Sequence, residues 1–484
     1  MQSNYYNRQT PSLSVISESQ IDEFIQAGFT ILERTGVKIT HPEAIKLLID
    51  AGAVVKNDIA KVPRNIVQKA LDLVPKGINI YSRDGQPAMQ LSGSHVYYGT
   101  STASPNNIDI ETLERRPTTI QDITNAGIIA DALPNIDFVM PFGTAQDVPA
   151  IAGDVHEFVA LMSVTAKPMV FCGYSATGVK KVLEMAAYVA GGIDKLREAP
   201  FIIPYPEPIT PLHFPDETVG RMLVTAEMGI PQVNSGGQSN GQNSPVTMAG
   251  GLALAMAESF FAITLNQLKR PGAPCFLTSS VVDANHRTGC PTHGNPSPSI
   301  TLAAQAQIGR RLGLPIWGLA GITDSKVVDA QAGAEGALHI MMQALAGANL
   351  IHDVGYMEAG MVCSAGMLVL GDEIINWVKH VMKGLEVSAE TLALEALHQV
   401  GPGGNFLGHK HTVKHFRNES WFPSLFNRDQ YEGWVKAGSL DCADAAYAKA
   451  RKILSTHKPN ALSDSMIDDL KRMAKEAEKE LLSQ

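Results

Sequence analysis

The sequence predicts an α/β fold, a (β/α)8 barrel with helical extensions at both ends. Two observations lead there. Eight short apolar segments, rich in β-branched or aromatic residues, alternate with eight helical patterns in the middle of the chain. No G-x-G-x-x-G or P-loop follows any of these segments, which removes the usual support for an open nucleotide-binding sheet. The stretch PIWGLAGITDSKVVDAQ, residues 315–331, shows one unit: a buried apolar run, a polar loop, then a helix start.

Residues 1–90 read as a helical N-terminal region. Ser17 and Gln20 suit a capping box, and Ile21, Phe24, Ile25, Phe29 and Leu32 follow at near-helical spacing. A second helix opens with Pro42 in its first turn and a third begins near Pro63. The barrel is expected over 91–385, with strands at 96–99, 138–143, 169–173, 201–205, 232–234, 275–278, 316–319 and 350–354. Several open just after a proline, where no ladder bond is lost. The expected helices are 119–133, 155–165, 178–190, 217–228, 246–268, 300–312, 329–345 and 361–382. Residues 386–484 turn helical again, at 387–400, 428–436, 441–454 and 463–482, with a glycine-rich loop at 401–409. The final helix carries an apolar side fit to pack on its own barrel or on a second subunit.

Composition narrows the class. Hydrophobic residues at 45% and charged residues at 18% allow a large core, and a net charge of −9 without a Lys/Arg cluster argues against nucleic acid. No secretory signal opens the chain and no run of some 18 apolar residues suggests a membrane span. The five cysteines are scattered, as in a cytoplasmic protein, and read mostly as small core residues rather than metal ligands.

In such barrels chemistry collects just past the carboxyl ends of the strands. The aromatics read there are Tyr97, Tyr98, Phe142, Tyr174, Tyr205, Trp317 and Tyr356, with Phe406 in the later glycine-rich loop. In a chain only 6% aromatic, that enrichment suits a quaternary ammonium, a cation that cannot donate a hydrogen bond but is drawn to π faces. The polar residues are Asn234, Gln238, Asn240, Asp283, His286, Asp324, Lys326, His352, Asp353 and Glu358. Asn234, Gln238 and His352 could bind an anionic end of the same ligand. No catalytic residue stands out; Asp324 and Glu358 are candidate orienting groups. Glu207 and Glu358 would be the carboxylates of a glycosidase, and Asp283, His286 and His352 the ligands of a metal-dependent lyase or hydrolase. A betaine-binding protein without catalysis is a third reading. Neither a G-x-S-x-G elbow nor an H-E-x-x-H is present, and no lysine sits in an apolar strand.

Several longer stretches carry a resemblance. HPEAIKLLIDAGA, YYGTSTASPNNIDIETLERRPTTIQD, LKRPGAPC, GITDSKVVDAQAG, GANLIHDVGYMEAGMVCSAGMLVLGDE and GPGGNFLGHKHT occur in this order. Together they resemble the trimethylamine methyltransferase family, and within it the members that lack pyrrolysine and act on quaternary amines such as glycine betaine. The resemblance implies a (β/α)8 barrel that moves a methyl group from the amine to the cobalt of a corrinoid (cobalamin). That corrinoid would be carried by a separate corrinoid protein, with no tightly bound metal in this chain. It also implies a small-molecule quaternary amine as substrate, and a homo-oligomer is expected. Pyrrolysine enzymes carry that residue at the barrel mouth; here only standard residues occur, and 323–326 is the corresponding region expected.

Overall fold

Eight parallel strands close on themselves around residues 97–354 in a computed structural model that describes residues 8–483. The first seven residues, within the stretch read for a secretory signal, lie outside the described residues. The strand Tyr97–Thr100 meets the next segment through a parallel Gly99–Phe138 bridge, and Val139 bridges Met169. Met169–Phe171 pairs with Ile202–Pro204, whose last carbonyl accepts from Val233 N at 3.0 Å. Gln232 bridges Cys275 and Leu277 bridges Ile316. Trp317–Leu319 pairs with Leu350–Val354, and that strand pairs back onto Tyr97–Thr100. The ring is complete, so no sheet edge is left open. Gly99 is required by this closure, because a Cβ there would sit 2.2 Å from the Phe138 ring.

All eight expected helices form: Ile120–Ala132, Gly153–Met162, Ala176–Ala190, Asp216–Met228, Met248–Lys269, Ser297–Leu312, Ala330–Ala346 and Ala365–Met382. Thr119, Ser175, Thr247, Asp329 and Ser364 cap five of them with side-chain oxygens, each worth about 1 kcal/mol. Apolar side chains between these helices and the strands form the main core.

The N-terminal region holds its three helices, Glu18–Arg34, Pro42–Asp50 and Arg64–Leu73, and the Ser17/Gln20 capping box is present. It is not purely helical, which corrects the reading of 1–90. Val37–Ile39, Val54–Lys56 and Ile59–Lys61 form a sheet that His213–Phe214 joins from the barrel. A hairpin, Ile78–Tyr81 with Pro87–Leu91, plugs the barrel floor; Ile80, Met89 and Leu91 pack against Phe138, Val170, Ile203 and Leu350. Helix Glu18–Arg34 covers Met248–Lys269, with Phe29 and Phe260 ring centroids 5.6 Å apart. That covered helix is long and apolar enough to cross a membrane by composition, yet 78% of its most apolar window is buried within the protein.

At the C-terminal side, Cys442–Thr456 and Asp464–Leu482 pack on the barrel through Ala446, Ala450, Leu470 and Ala474. The expected helix at 387–400 is broken at Ala393, whose φ is 52°, into Ala389–Leu392 and Leu394–Val400. Lys410–Glu419 is a helix that the apolar pattern does not announce.

One half-buried cation secures the first barrel helix. Lys167 Nζ donates to the carbonyls of Ala130, Leu133 and Ile136 at 2.6, 2.8 and 2.6 Å, at the C-terminal end of Ile120–Ala132 where the helix dipole favours positive charge. Lys167→Met is expected to cost about 2–3 kcal/mol, because three inward carbonyls lose their donor; urea denaturation measures it.

Candidate functional site

The loops beyond the strand ends fold into two small sheets at the carboxyl mouth. One contains Gln238–Asn240, Val281–Asn285 and Cys290–Thr292; the other contains Asn106–Ile108, Arg115–Pro117, Tyr356–Met357 and Val362–Cys363. Between them the barrel interior holds rings and carboxyls. Trp317 stacks on His352 with centroids 4.2 Å apart, and Tyr205 meets both edge-on, at 5.2 and 6.0 Å.

His352 is aimed by a break in its strand. The register of Leu350–Val354 against Tyr97–Thr100 shifts between Ile351 and Val354, a bulge of the kind that re-aims side chains beside active sites. Asp353 sits in that bulge with φ 85°, a left-handed conformation that costs a non-glycine residue about 1–3 kcal/mol. His352 Nδ1 lies 2.9 Å from Gly318 O and must donate to it, since a carbonyl only accepts. Burial pushes His352 down to about 3, so the ring is neutral and its Nε2 carries a lone pair. That nitrogen lies 3.2 Å from Asp353 Oδ1, without hydrogen-bonding geometry; Oδ1 is buried and has no hydrogen-bond partner among the described residues.

A second carboxyl faces the same space. Burial pushes Glu207 up, opposed by the Tyr205 hydroxyl that donates to it, although the residue keeps solvent-exposed surface at the mouth. Burial first, and the charge of Glu207 second, push Asp353 well above the usual carboxylate range. The phenol of Tyr356 is pushed up by burial and then by Asp353, Cys363, Cys172 and Glu207. Cys172, with Thr102 Oγ1 3.9 Å from its sulfur, is pushed well above an ordinary thiol by burial, which leaves it a poor nucleophile near neutral pH. Tyr205, Tyr356, His352, Glu207 and Asp353 thus bring π faces and carboxyls together, and the Arg221 guanidinium, which donates to Gly173 O, is the cation whose charge reaches Glu207. Rings and carboxyls of this kind can face a cation when the carboxyls are ionised.

The other residues singled out by sequence divide clearly. Trp317 is fully buried and supports the His352 ring from below. Tyr97 and Tyr98 open their strand rather than close it; Tyr97 Oη accepts from Gln90 N of the floor hairpin, and Tyr98 Oη donates to Ile340 O among the outer helices. Phe142 is core. Asn234 is bonded to Gln232 and Asn266, and Gln238 to Glu258 and Ser280 N, so both amides are engaged inside the barrel wall. Asp324 Oδ1 accepts from His293 N, Lys326 Nζ donates to Asp324 O, and Glu358 pairs with Arg115 at 3.1 Å. Phe406 lies in the C-terminal segment, half exposed, 6.2 Å from His409. Asp283 is bonded to Asn240 and Asn295, and no three His, Cys, Asp or Glu side chains gather as a metal site among the described residues. Sequence reasoning passed over Cys172 as core; its place directly after Phe171, at a strand's carboxyl end, was the available signal.

Tyr174 belongs to an adjoining corner. Its hydroxyl donates to Glu157 Oε1 at 3.2 Å, Ala145 N donates to the same oxygen at 3.0 Å, and Asp154 accepts from Tyr174 N at 3.1 Å. Burial pushes Glu157 up from 4.5 to about 8 and Asp154 from 3.8 to about 6. The folded chain therefore holds the Glu157 proton more tightly than the unfolded chain. The resulting stabilisation is complete below pH 4.5 and is lost as pH rises through about 8. Glu157→Gln is expected to match the wild type at pH 5 and to exceed it at pH 8 by on the order of 2 kcal/mol; denaturant melts at the two pH values check this.

Comparison with known proteins gives a consistent result. A family model described as trimethylamine methyltransferase matches residues 1–481. A trimethylamine methyltransferase of Desulfitobacterium hafniense (strain DSM 10664 / DCB-2) is 31% identical over 470 residues, covering 97% of this chain and 95% of the relative. A glycine betaine methyltransferase of D. hafniense (strain Y51) is 29% identical over 465 residues, covering 95% of each. The crystal structure of the Methanosarcina barkeri monomethylamine methyltransferase shares the fold, with a TM-score of 0.52 at 12% identity over 91% of this chain and 87% of that one. The whole-length family match, and relatives near 30% identity on almost every residue, establish that this chain belongs to the trimethylamine methyltransferase family.

Proposed function

We propose that the protein is a cytoplasmic methyltransferase that takes a methyl group from a quaternary amine, glycine betaine foremost, leaving dimethylglycine. The acceptor is the Co(I) corrinoid of a separate corrinoid protein. The observation that carries this reading is the cup of Tyr205, Tyr356, His352, Glu207 and Asp353 at the barrel mouth. A fixed ammonium charge cannot donate a hydrogen bond, so it is held by π faces and carboxylates rather than by acceptors aimed at an N–H. Glycine betaine is supported by the relative of that name, and the quaternary class by chemistry: a quaternary ammonium already leaves as a neutral amine, so no protein acid is needed.

The acceptor fits the site. A corrinoid held by another protein needs an approach to the bound methyl, and Glu207 keeps exposed surface at the mouth. When presented there, the reduced corrinoid supplies the nucleophile, which the thiol of Cys172, pushed up by burial, does not. This chain's part is orientation: the cup fixes the nitrogen, and the two small sheets wall the mouth around the methyl transferred. Since Asn234 and Gln238 are engaged elsewhere and His352 Nε2 is an acceptor, the cup accounts for the ammonium half of the substrate.

A second reading has one observation in its favour. The unpartnered, buried Asp353 Oδ1 would suit the N–H of a protonated tertiary amine such as trimethylammonium. Incubating the protein with reduced corrinoid and a panel of glycine betaine, carnitine, proline betaine, choline and trimethylamine decides between them. Methylcobalamin from the quaternary amines is expected; methylcobalamin from trimethylamine alone supports the second reading, and none from any amine refutes both.

A further inference from the structure

We propose that the inner face of one mouth sheet, the row of Ser239, Val282 and His293, is the subsite that takes the carboxylate end of the substrate. This subsite rests on the reading above, which leaves that end of a betaine without a partner.

Strand alternation turns these residues inward. Gln238 reaches outward to Glu258 of the helix Met248–Lys269 at 2.5 Å. Asn240 lies against the same helix, where a Cβ on Gly251 would sit 2.3 Å from its Oδ1. Ser239, between them, faces the other way, into the mouth. It pairs with Val282 of the central strand, whose neighbour Val281 belongs to the core built on that helix. On the third strand Thr292 pairs with Asp283, so the same register sets His293 opposite Val282. The row is held at both ends. Ser239 N donates to Asn243 Oδ1 at 2.6 Å, and His293 N donates at 3.0 Å to Asp324 Oδ1, in the loop after Trp317–Leu319.

Two polar atoms of this row have nothing to bond. Ser239 Oγ and His293 Nδ1 are buried without a hydrogen-bond partner among the described residues, although the nearby amides of Asn234, Gln238 and Asn240 are all engaged. A buried hydroxyl and imidazole left in this state cost free energy until a ligand meets them. Both side chains can donate, and a carboxylate, with two oxygens, accepts from two donors at once. Burial pushes His293 down to about 4, so its ring is neutral at pH 7 and keeps one N–H to give. The ring also stands close enough to the cup that a charge on it would reach His352.

Neutral donors suit this place. A lysine or arginine in the row would compete with the ammonium group for Asp353 and Glu207. A serine and a neutral histidine recognise a carboxylate and leave those two carboxyls to the cation. The class selected is therefore a betaine, with a fixed ammonium at one end and a carboxylate at the other.

Calorimetric titration of the full chain with glycine betaine and with tetramethylammonium, its counterpart without the carboxylate, separates the two halves of the site. Tetramethylammonium reads the cup alone. The wild type is expected to hold glycine betaine about 10-fold or more tighter than tetramethylammonium. Ser239→Ala and His293→Phe are each expected to weaken glycine betaine about 10-fold and to leave tetramethylammonium within about 2-fold. Alanine removes only an unpartnered hydroxyl, so Ser239→Ala decides alone should His293→Phe fail to fold. Equal binding of the two ligands by the wild type, or a preference for glycine betaine that survives in the folded variants, would overturn the subsite and leave the cup standing. Variants that weaken glycine betaine in a protein that takes no tetramethylammonium would uphold the subsite and sink the cup. A wild type that binds neither ligand refutes both.

Discussion

Asp353→Asn is expected to lower kcat/KM for methyl transfer by about 100-fold or more, because truncating one partner of a buried charge contact costs about 2–5 kcal/mol. Asparagine keeps the shape and tolerates the positive φ of 85° at this position, so the bulge and the aim of His352 should survive. Stability should hold, since the amide keeps the size of the buried carboxyl and cannot ionise. The same logic gives a pH dependence. Burial raises Asp353 well above the ordinary carboxylate range and raises Glu207, and a bound cation would favour their ionised forms. Affinity for tetramethylammonium should therefore strengthen as pH rises, and the slope should flatten in Glu207→Gln. His352, held near 3, contributes no titration between pH 5 and 8. Calorimetric titration across that range, together with the methyl-transfer assay on Asp353→Asn, checks both statements. An Asp353→Asn enzyme with unchanged kcat/KM would remove that carboxyl from the site.

The largest loss of stability should come from Trp317→Ala. The indole is fully buried and rests against His352 at 4.2 Å and Tyr205 at 5.2 Å. Removing it opens a cavity in the layer directly above the floor hairpin, and such truncations cost about 3–5 kcal/mol. The effect on binding would be indirect. His352 loses the ring on which it is stacked, so cation affinity should fall although Trp317 itself is closed to solvent. Trp317→Phe keeps part of the stack and should recover much of both losses. Equal unfolding free energies for the wild type and Trp317→Ala, measured in urea, would contradict the packing described here.

How far the sequence foretold this can be seen residue by residue. The barrel was legible because its strands and helices are local patterns: an apolar run, a polar loop and a capped helix, repeated eight times. The floor hairpin was legible too, since Asp84-Gly85 separates the alternating INIY from AMQL, but the segment was absorbed into a helical region. The sheets at the mouth were not legible. Val362 pairs with Asn106 and Cys363 with Asn107, partners some 250 residues apart that no local window links. The site divided the same way. The strand-end rule picked out Tyr205, His352, Tyr356 and Asp353, which the fold places together, whereas Glu207 came into view only as a candidate glycosidase carboxylate. It also gathered Tyr97 and Tyr98, because a boundary one or two residues off exchanges the floor of a barrel for its mouth. The amides of Asn234 and Gln238 look free in sequence; only the fold reveals Asn266 and Glu258, from the helix Met248–Lys269, already bonded to them.

The cup itself is tested most directly by a crystal structure of the protein grown with glycine betaine. The trimethylammonium group is expected between Tyr205 and Tyr356, its nitrogen facing the carboxyls of Asp353 and Glu207, with one methyl turned out toward the open mouth. Betaine bound elsewhere on the chain, with that cup filled only by water, would contradict it.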